Sequence, residues 1–253
     1  MFDKPSHQFH NPPGRFKNNW CGGKTKEITG ILLVDKPKGI TSHDAVDFIR
    51  KRFKINKVGH CGTLDPIATG LLVILLGRAT KSASRYLNDD KRYLCTMKLG
   101  IVTDTQDAEG KIITNSTVEN ITAKQIREVA KSFKGEIEQI PPMVSAKHYK
   151  GVRLYKLARK GLEVKRFPKK ICIYNITVLS IKIPYVEFIM ESSKGTYIRT
   201  LCHDIGEKLG CGAHMCALRR LASGNFKVEN AHTLKELEAK GIEGLKDIVI
   251  NSK

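Results

Sequence analysis

A loop punctuated by glycines, Gly59–Gly70, carries the first residues whose types and spacing could do chemistry. Three of its twelve residues are glycines, which let the backbone approach a ligand closely, and Pro66 biases Asp65 toward an extended conformation. The loop leads into the apolar run Leu71–Leu76, which predicts a buried strand that would hold the Asp65 carboxylate on a rigid base. An ordinary Asp-Pro turn has the same local pattern, and the loop taken alone favours that simpler structure.

Side chains that bind zinc in other proteins cluster later in the chain. They are Cys202, His203, Cys211, His214 and Cys216. Their spacing fits the usual zinc patterns poorly, and the chain has no Cys-x2-Cys pair. Cys202 also falls on the apolar face of a predicted helix, which favours a buried thiol over a ligand. His60 and Cys61 do not form a base and nucleophile pair, because neighbouring side chains in an extended loop alternate in direction.

The segment Ser193–Thr200 joins a predicted strand to a predicted helix. Its backbone amides and Arg199 would therefore lie near a helix N-terminus, which suits an anion. The segment lacks the phosphate-binding pattern Gly-x4-Gly-Lys-[Ser/Thr], and the chain lacks the dinucleotide pattern Gly-x-Gly-x2-Gly. The sequence therefore indicates no nucleotide cofactor.

The elements that must position these residues follow from apolar periodicity and turn signals. Strands are predicted at Gly30–Val34, Leu71–Leu76, Tyr93–Leu99, Ile171–Ile183 and Tyr185–Glu191. Helices are predicted after a capping box of Thr41 and Asp44, over Ala123–Lys134 before Gly135, around Leu154–Arg159, and over Ile198–Leu209 before Gly210. Strands and helices interleave without a regular βαβ rhythm, so we expect a mixed α+β fold.

Composition restricts the class of protein. The 253 residues include 44 Lys and Arg against 25 Asp and Glu, a net charge of +19, which favours a polyanionic partner, above all nucleic acid. A solubility device or a compositional bias would give the same charge. Hydrophobic residues make up 41%, which argues against wholesale disorder, and no apolar run approaches the roughly 20 residues of a membrane helix.

Two further observations concern compartment and domains. The seven cysteines are an odd, scattered set, which fits reduced thiols in the cytoplasm. Residues 1–27 are rich in Pro, Gly and Asn, lack the apolar stretch of a secretory signal, and predict a flexible basic arm. We expect one catalytic domain over residues 28–253 that ends in a short helical tail.

Seven blocks of the sequence form an ordered set. They are Gly30–Gly39, Gly59–Lys81, Asp90–Tyr93, Leu99–Ala108, Gln139–Lys147, Ser193–Gly212 and Leu218–Leu221. In this order they resemble the TruB family of tRNA pseudouridine synthases. A single Gly-x-Leu-Asp-Pro match would be weak, whereas seven ordered blocks over about residues 28 to 230 are specific. The resemblance implies the pseudouridine synthase fold, a mixed and mostly antiparallel central sheet flanked by helices and loops.

The resemblance also implies a reaction, the isomerisation of uridine 55 to pseudouridine in the T loop of tRNA. The C1′–N1 bond breaks, the base turns while bound, and a C1′–C5 bond forms. Asp65 matches the catalytic aspartate, as nucleophile or base, and Arg199 matches the arginine that pairs with it. A carboxylate beside a guanidinium stays ionised, as a nucleophile requires. No step transfers electrons or phosphate, so no metal and no organic cofactor is implied.

Four more residues match positions that bind the substrate. Tyr93 matches the tyrosine that stacks on the target base, Tyr197 and Leu218 match walls of the pocket, and His60 matches a histidine that helps displace the base. Flipping a base out of a folded loop costs a few kcal/mol, which stacking on an aromatic ring offsets. The basic charge elsewhere would hold the tRNA backbone.

Longer family members carry a C-terminal RNA-binding PUA domain, and only Asn230–Lys253 follows the last matching block here. We therefore expect no complete PUA domain, which leaves contacts to the acceptor stem in doubt, and we expect the arm of residues 1–27 to add phosphate contacts. The expected protein is a cytoplasmic monomer without an obligatory protein partner or membrane association. The alternatives are a guide-RNA-dependent synthase and a non-catalytic chaperone that unfolds the T arm.

Overall fold

The computed structural model describes residues 28–145, 148–149, 151–153, 161–162 and 164–251. The helices are α1 (Ser42–Phe53), α2 (Ala83–Leu87), α3 (Ala123–Lys131), α4 (Ile198–Leu209), α5 (Leu234–Ala239) and α6 (Ile242–Ile248), with short 3-10 helices at Gly77–Ser82 and Val228–Asn230. The predicted arm of residues 1–27 and the predicted helix around residues 154–159 lie outside the described residues.

One large sheet organises the described chain. Its strands are β1 (Gly30–Lys36), β2 (Val58–His60), β3 (Thr69–Leu76), β4 (Lys91–Leu99), β7 (Gly135–Gln139), β10 (Lys169–Lys182), β11 (Tyr185–Ser192), β12 (Ala213–Ser223), β13 (Phe226–Lys227) and β14 (His232–Thr233). Two small hairpins pair β5 (Ile101–Thr103) with β6 (Ile112–Asn115), and β8 (His148–Tyr149) with β9 (Val152–Arg153).

The sheet has the strand order β14-β1-β3-β12-β4-β11-β10-β7, with β2 beside β3 and β13 beside β12. The pairs β1–β14 and β3–β12 are parallel, and the other pairs of this sheet are antiparallel. The expected mixed, mostly antiparallel α+β fold is therefore confirmed.

Apolar residues fill both faces of the centre of the sheet. Leu72, Ile74 and Leu76 of β3 pack in the larger core with residues of α1, α3 and α4. Leu71, Val73 and Leu75 point the other way, into a smaller core with Ala79 and Tyr86. The continuous apolar run is thus a strand covered on both faces. Within the described residues, no helix is long and apolar enough to span a bilayer.

Helix boundaries follow the local signals in two cases and depart from them in one. Thr41 caps α1, and it forms with Asp44 the predicted reciprocal capping box. Gly210, at φ +78°, ends α4 as predicted. The prediction that α3 reaches Lys134 is wrong, since the chain leaves the helix after Lys131 through i to i+3 hydrogen bonds and Gly135 begins β7.

Strand β12 lies between β3 and β4, although periodicity predicts no element there. Arg219 and Arg220 interrupt its apolar residues, and register shifts break its alternation. The strand becomes central because its neighbours and α4 pack on it, which no local pattern shows.

Candidate active site

The Asp65 loop connects β2 to β3 and is fixed by hydrogen bonds on both sides of the carboxylate. The Leu64 amide donates to Ser42 Oγ at 2.8 Å, and that hydroxyl donates to Leu64 O at 3.0 Å. The Gly39 amide donates to Pro66 O at 2.8 Å. The Ala68 amide donates to Asp65 O at 3.0 Å, so an Asp-Pro turn does form. The turn is the device that presents the carboxylate.

A buried arginine joins Asp65 to a second carboxylate. Arg199 Nε lies 3.0 Å from Asp65 Oδ2, and Arg199 Nη1 lies 3.4 Å from Asp107 Oδ2. The Arg199 side chain is 4% exposed and that of Asp107 6%, whereas 37% of the Asp65 side chain is exposed. The Arg199 guanidinium also donates to two backbone carbonyls, Thr105 O at 3.1 Å and Val144 O at 2.8 Å. The network leaves Asp65 as the carboxylate that a substrate can reach.

The second carboxylate is itself held in place. Thr105 Oγ1 donates to Asp107 Oδ1 at 2.6 Å, and the Glu109 amide donates to the same oxygen at 3.1 Å. Asp107 Oδ2 is thereby left to face the guanidinium. Sequence reasoning placed this segment within a matching block and assigned Asp107 no role. The available sequence signal was that Asp107 is a carboxylate within the matching block Leu99–Ala108, while Arg199 lies in another matching block. Only the fold shows that the two side chains are in contact.

Opposing effects set the charge of Asp65. Burial raises the pKa of the Asp65 carboxyl, and the Asp107 carboxylate acts in the same direction. The Arg199 guanidinium and the Lys36 ammonium lower that pKa. Lys36 is fully buried, and its Nζ donates to Pro37 O at 2.9 Å and Ile40 O at 2.8 Å. Burial lowers the pKa of Lys36 to about 8, although the charge of Asp65 raises it.

A glutamine fixes the start of α4, which delivers Arg199 to the site. The buried Gln139 of β7 accepts from the Tyr197 amide at 2.7 Å and donates to Tyr197 O at 3.0 Å. Tyr197 is the N-cap residue of α4 and lies two positions before Arg199. Sequence reasoning assigned Gln139 no role, because a buried amide that binds a helix end has no sequence signature.

Three other predicted substrate-binding residues are partly or fully buried. Tyr197 is half-buried, and burial raises the pKa of its phenol. The charge of Arg199 lowers this pKa and the charge of Asp65 raises it. Tyr93 of β4 and Leu218 of β12 are buried in one apolar cluster that also contains Leu64. The structure thus places Asp65 in direct contact with Arg199, with Tyr197 close enough for both charges to act on its phenol, and it places Tyr93 and Leu218 in the main core.

His60 ends β2 at the start of the loop. Its ring is half-buried, and Nδ1 is buried without a hydrogen-bond partner. Burial lowers the pKa of His60, and the positive charges of Arg220 and His43 lower it further. The neutral imidazole is therefore favoured near neutral pH.

The zinc-type side chains of the sequence are dispersed among core contacts. Cys202 is buried, with its Sγ 3.5 Å from Cys95 Sγ, as expected for a thiol on an apolar helix face. His214 has Nδ1 2.9 Å from Ile101 O and Nε2 3.5 Å from Cys216 Sγ. In the described part of the chain, no group of three or more His, Cys, Asp or Glu could hold a metal ion.

Comparison with known proteins identifies relatives of similar sequence. The chain is 51% identical over 216 residues to a tRNA pseudouridine synthase B of Clostridium tetani, covering 85% of this chain and 75% of the relative. It is 48% identical over 224 residues to the protein of that name from Syntrophotalea carbinolica, covering 88% and 73%.

Two solved structures of complexes contain a chain with a similar fold. One, a Cbf5-Nop10-Gar1 complex, has a chain that matches with a TM-score of 0.67 and 36% identity over 83% of this chain. Another, an H/ACA RNP bound to a substrate RNA containing 2′-deoxyuridine, matches with a TM-score of 0.64 and 32% identity over 87%. This chain spans 54% and 56% of the length of those two chains.

Two family models match adjacent parts of the chain. The TruB family pseudouridylate synthase N-terminal domain matches residues 50–198, and the tRNA pseudouridylate synthase B C-terminal domain matches residues 199–247. The boundary falls at the start of α4, and the second match supplies β12 to the centre of the sheet. With relatives about half identical over most of its length, the chain belongs to the TruB family of pseudouridylate synthases.

Proposed function

We propose that this chain converts uridine 55 in the T loop of tRNA to pseudouridine. Its curated relatives are named tRNA pseudouridine synthase B, and its family consists of pseudouridylate synthases, which are isomerases. The observation that carries the proposal is the partly exposed Asp65 carboxylate, held at 3.0 Å by a buried Arg199. The net charge of +19 suits a polyanionic RNA substrate.

Asp65 is the catalytic residue of the proposed reaction, as nucleophile or base. The C1′–N1 bond of the target nucleoside breaks, the uracil turns within the site, and C1′ bonds to C5. The hydrogen of C5 leaves as a proton and N1 takes up a proton, so that the product is an isomer of the substrate. Arg199 favours the ionised carboxylate against the penalty of burial, and Lys36 adds positive charge. Arg199 keeps its orientation through Asp107 and two backbone carbonyls, so the carboxylate meets a fixed partner.

Four further residues are assigned to the flipped base. We assign Tyr93 to stacking on the uracil, and Tyr197 and Leu218 to the walls of the pocket. The neutral imidazole of His60, at the entrance of the loop, helps displace the base from the RNA. Stacking and apolar contact offset the unstacking cost of a few kcal/mol.

The proposal includes no cofactor and no obligatory protein partner. Every group assigned above is a side chain of this chain, and the reaction moves no electrons and no phosphate. We propose a cytoplasmic monomer that binds the T arm of tRNA, with the arm of residues 1–27 adding phosphate contacts. Deleting that arm should weaken tRNA binding and reduce its dependence on salt.

Tritium release tests the reaction and the residue together. A T-arm hairpin RNA carrying [5-³H]uridine at the target position is incubated with the enzyme in EDTA, because forming the C1′–C5 bond expels the label into water. We expect release by the wild type and by Asp104→Asn, an exposed carboxylate outside the site, and none by Asp65→Asn, which should still bind the hairpin.

The outcomes separate the parts of the proposal. Release from full tRNA without release from the hairpin would mean that recognition extends beyond the T arm. Wild-type enzyme that binds both RNAs and releases label from neither would refute the activity and favour an RNA chaperone. Release by Asp65→Asn at the wild-type rate would remove Asp65 from the mechanism.

A further inference from the structure

Arg220 holds a buried positive charge that the proposed reaction does not use. Its side chain is 1% exposed, on β12 in the centre of the sheet. Among the described residues, its hydrogen-bond acceptors are two backbone carbonyls, and no carboxylate forms an ion pair with it. Burying a guanidinium without a carboxylate partner carries a large desolvation free energy, which the hydrogen bonds to the two carbonyls must offset.

The two carbonyls lie at opposite ends of the Asp65 loop. Arg220 Nε donates to Leu71 O at 2.6 Å, and Nη2 donates to Gly62 O at 3.1 Å. Gly62 precedes Asp65 by three residues, and Leu71 follows it by six. One planar, rigid group therefore connects both ends of the loop to a strand that is paired on both sides.

The glycines of the loop fit closely against the same arginine. A Cβ on Gly62 would lie 3.3 Å from Arg220 Nη1, and Gly62 has φ +97°. A Cβ on Gly70 would overlap Arg220 O and lie 2.8 Å from Arg220 N, and Gly70 has φ +95°. The loop backbone thus packs on the guanidinium of Arg220 at Gly62 and on the backbone of Arg220 at Gly70.

We propose that Arg220 is a positioning residue. It sets the position and orientation of the Asp65 loop relative to Arg199 without touching the substrate. The inference rests on the proposed function. Ser42 and Gly39 hold the middle of the loop from the side of α1, and Arg220 holds its ends from the side of β12. A displacement of about 1 Å at a reacting group can cost about 100-fold in rate, which sets the expected effect.

The test compares variants in binding, stability and single-turnover tritium release at saturating hairpin RNA. Arg220→Met removes both hydrogen bonds, and Arg220→Lys keeps the charge but has no planar fork to reach both carbonyls. Gly62→Ala disturbs the same contact from the side of the loop. The matched control is Arg219→Met, since Arg219 leaves β12 on the opposite face and pairs with Asp35 at 3.0 and 2.6 Å.

We expect Arg220→Met to lower the single-turnover rate constant about 100-fold while the Kd for RNA changes less than about threefold. Arg220→Lys and Gly62→Ala should each lose at least about tenfold, and Arg219→Met should stay within about threefold of the wild type. The double variant Arg220→Met with Gly62→Ala should lose less than the product of the two single losses, because the two changes share one contact, although alanine at the positive φ of Gly62 also strains the loop by itself.

Each other outcome overturns the positioning role. If Arg220 serves stability alone, its variants unfold at lower temperature but react at the wild-type rate per RNA bound. If Arg220→Met does not fold, wild-type rates in both Arg220→Lys and Gly62→Ala refute the inference. A weaker Kd with an unchanged rate constant would make Arg220 an RNA-binding residue. Inactivity of the wild type itself would instead refute the proposed function.

Discussion

Asp107→Asn removes one of the two carboxylates that hold the Arg199 guanidinium while keeping the shape of the side chain. The asparagine carbonyl can replace Oδ1, which accepts from Thr105 Oγ1 and the Glu109 amide. Its NH2 group then takes the place of Oδ2 and points at Arg199 Nη1, where donor meets donor. The Arg199 guanidinium keeps Asp65 and the two backbone carbonyls as partners, but the Asp107 carboxylate no longer fixes the orientation of Nη1.

The size of the effect follows from the burial of the pair. Arg199 and Asp107 are 4% and 6% exposed, so the discount for surface ion pairs does not apply. Arg199 Nη1 and Asp107 Oδ2 form an ion pair at 3.4 Å. Removing one charge of a buried ion pair costs about 3–5 kcal/mol, and because Arg199 keeps Asp65 and two backbone carbonyls as partners, we expect a smaller loss of about 2 kcal/mol. Lost from the transition state, that energy lowers the rate about 30-fold.

The assay is single-turnover tritium release from the hairpin RNA at saturation, with Asp104→Asn as control. Asp104 lies in the same loop as Asp107, and its side chain is exposed. Its Oδ1 accepts a hydrogen bond from the Lys111 amide at 2.8 Å. Asp107→Asn with a rate constant within about threefold of the control, at equal RNA affinity, would refute the view that Asp107 orients Arg199.

The same variant gives a pH signature of known sign. The charge of Asp107 is one of the causes that raise the pKa of Asp65, so its removal lowers that pKa. If the reaction needs the ionised carboxylate, the rate falls as pH drops through the pKa of Asp65, and in Asp107→Asn this fall moves to lower pH. A fall that moves to higher pH would contradict the electrostatic reasoning.

Two further predictions concern stability, measured by urea unfolding. Gly39→Ala and Gly70→Ala both place alanine at a φ above +90°, which should lower the free energy of unfolding by about 1–2 kcal/mol. In Gly70→Ala the new Cβ also overlaps the Arg220 backbone, so this variant should lose about 1–3 kcal/mol more. Equal losses in the two variants would contradict the close backbone contact between β3 and β12. Burial lowers the pKa of Lys91 to about 8 from 10.5, so the unfolded chain binds the extra proton in this range and the stability of the wild type should rise, relative to Lys91→Met, as pH goes from 8 to 10.5. The expected rise is on the order of 3 kcal/mol, and a difference that stays flat with pH would show that Lys91 is not desolvated.

Local sequence signals were sufficient wherever neighbouring residues decide the structure. The reciprocal hydrogen bonds of Thr41 and Asp44 start α1, Gly210 ends α4, and the run Leu71–Leu76 forms a strand buried on both faces. The matching blocks also indicated that Asp65 and Arg199 belong together, and the structure places them in contact. Which residue performs the chemistry stays a prediction for the tritium assay.

Tertiary structure alone decided which residues complete the site. Asp107 reaches Arg199 from the loop after β5, Gln139 reaches the start of α4 from β7, and Arg220 reaches the ends of the Asp65 loop from β12. The contacting residues are 58 positions apart for Gln139 and Tyr197, 92 for Asp107 and Arg199, and 158 for Gly62 and Arg220. The sequence around each residue does not identify its contact partner, because the order of strands in the sheet and the packing of the core bring the two residues together. The sequence by itself thus determined the class of fold and indicated the pair of Asp65 and Arg199, and packing determined how that pair is held.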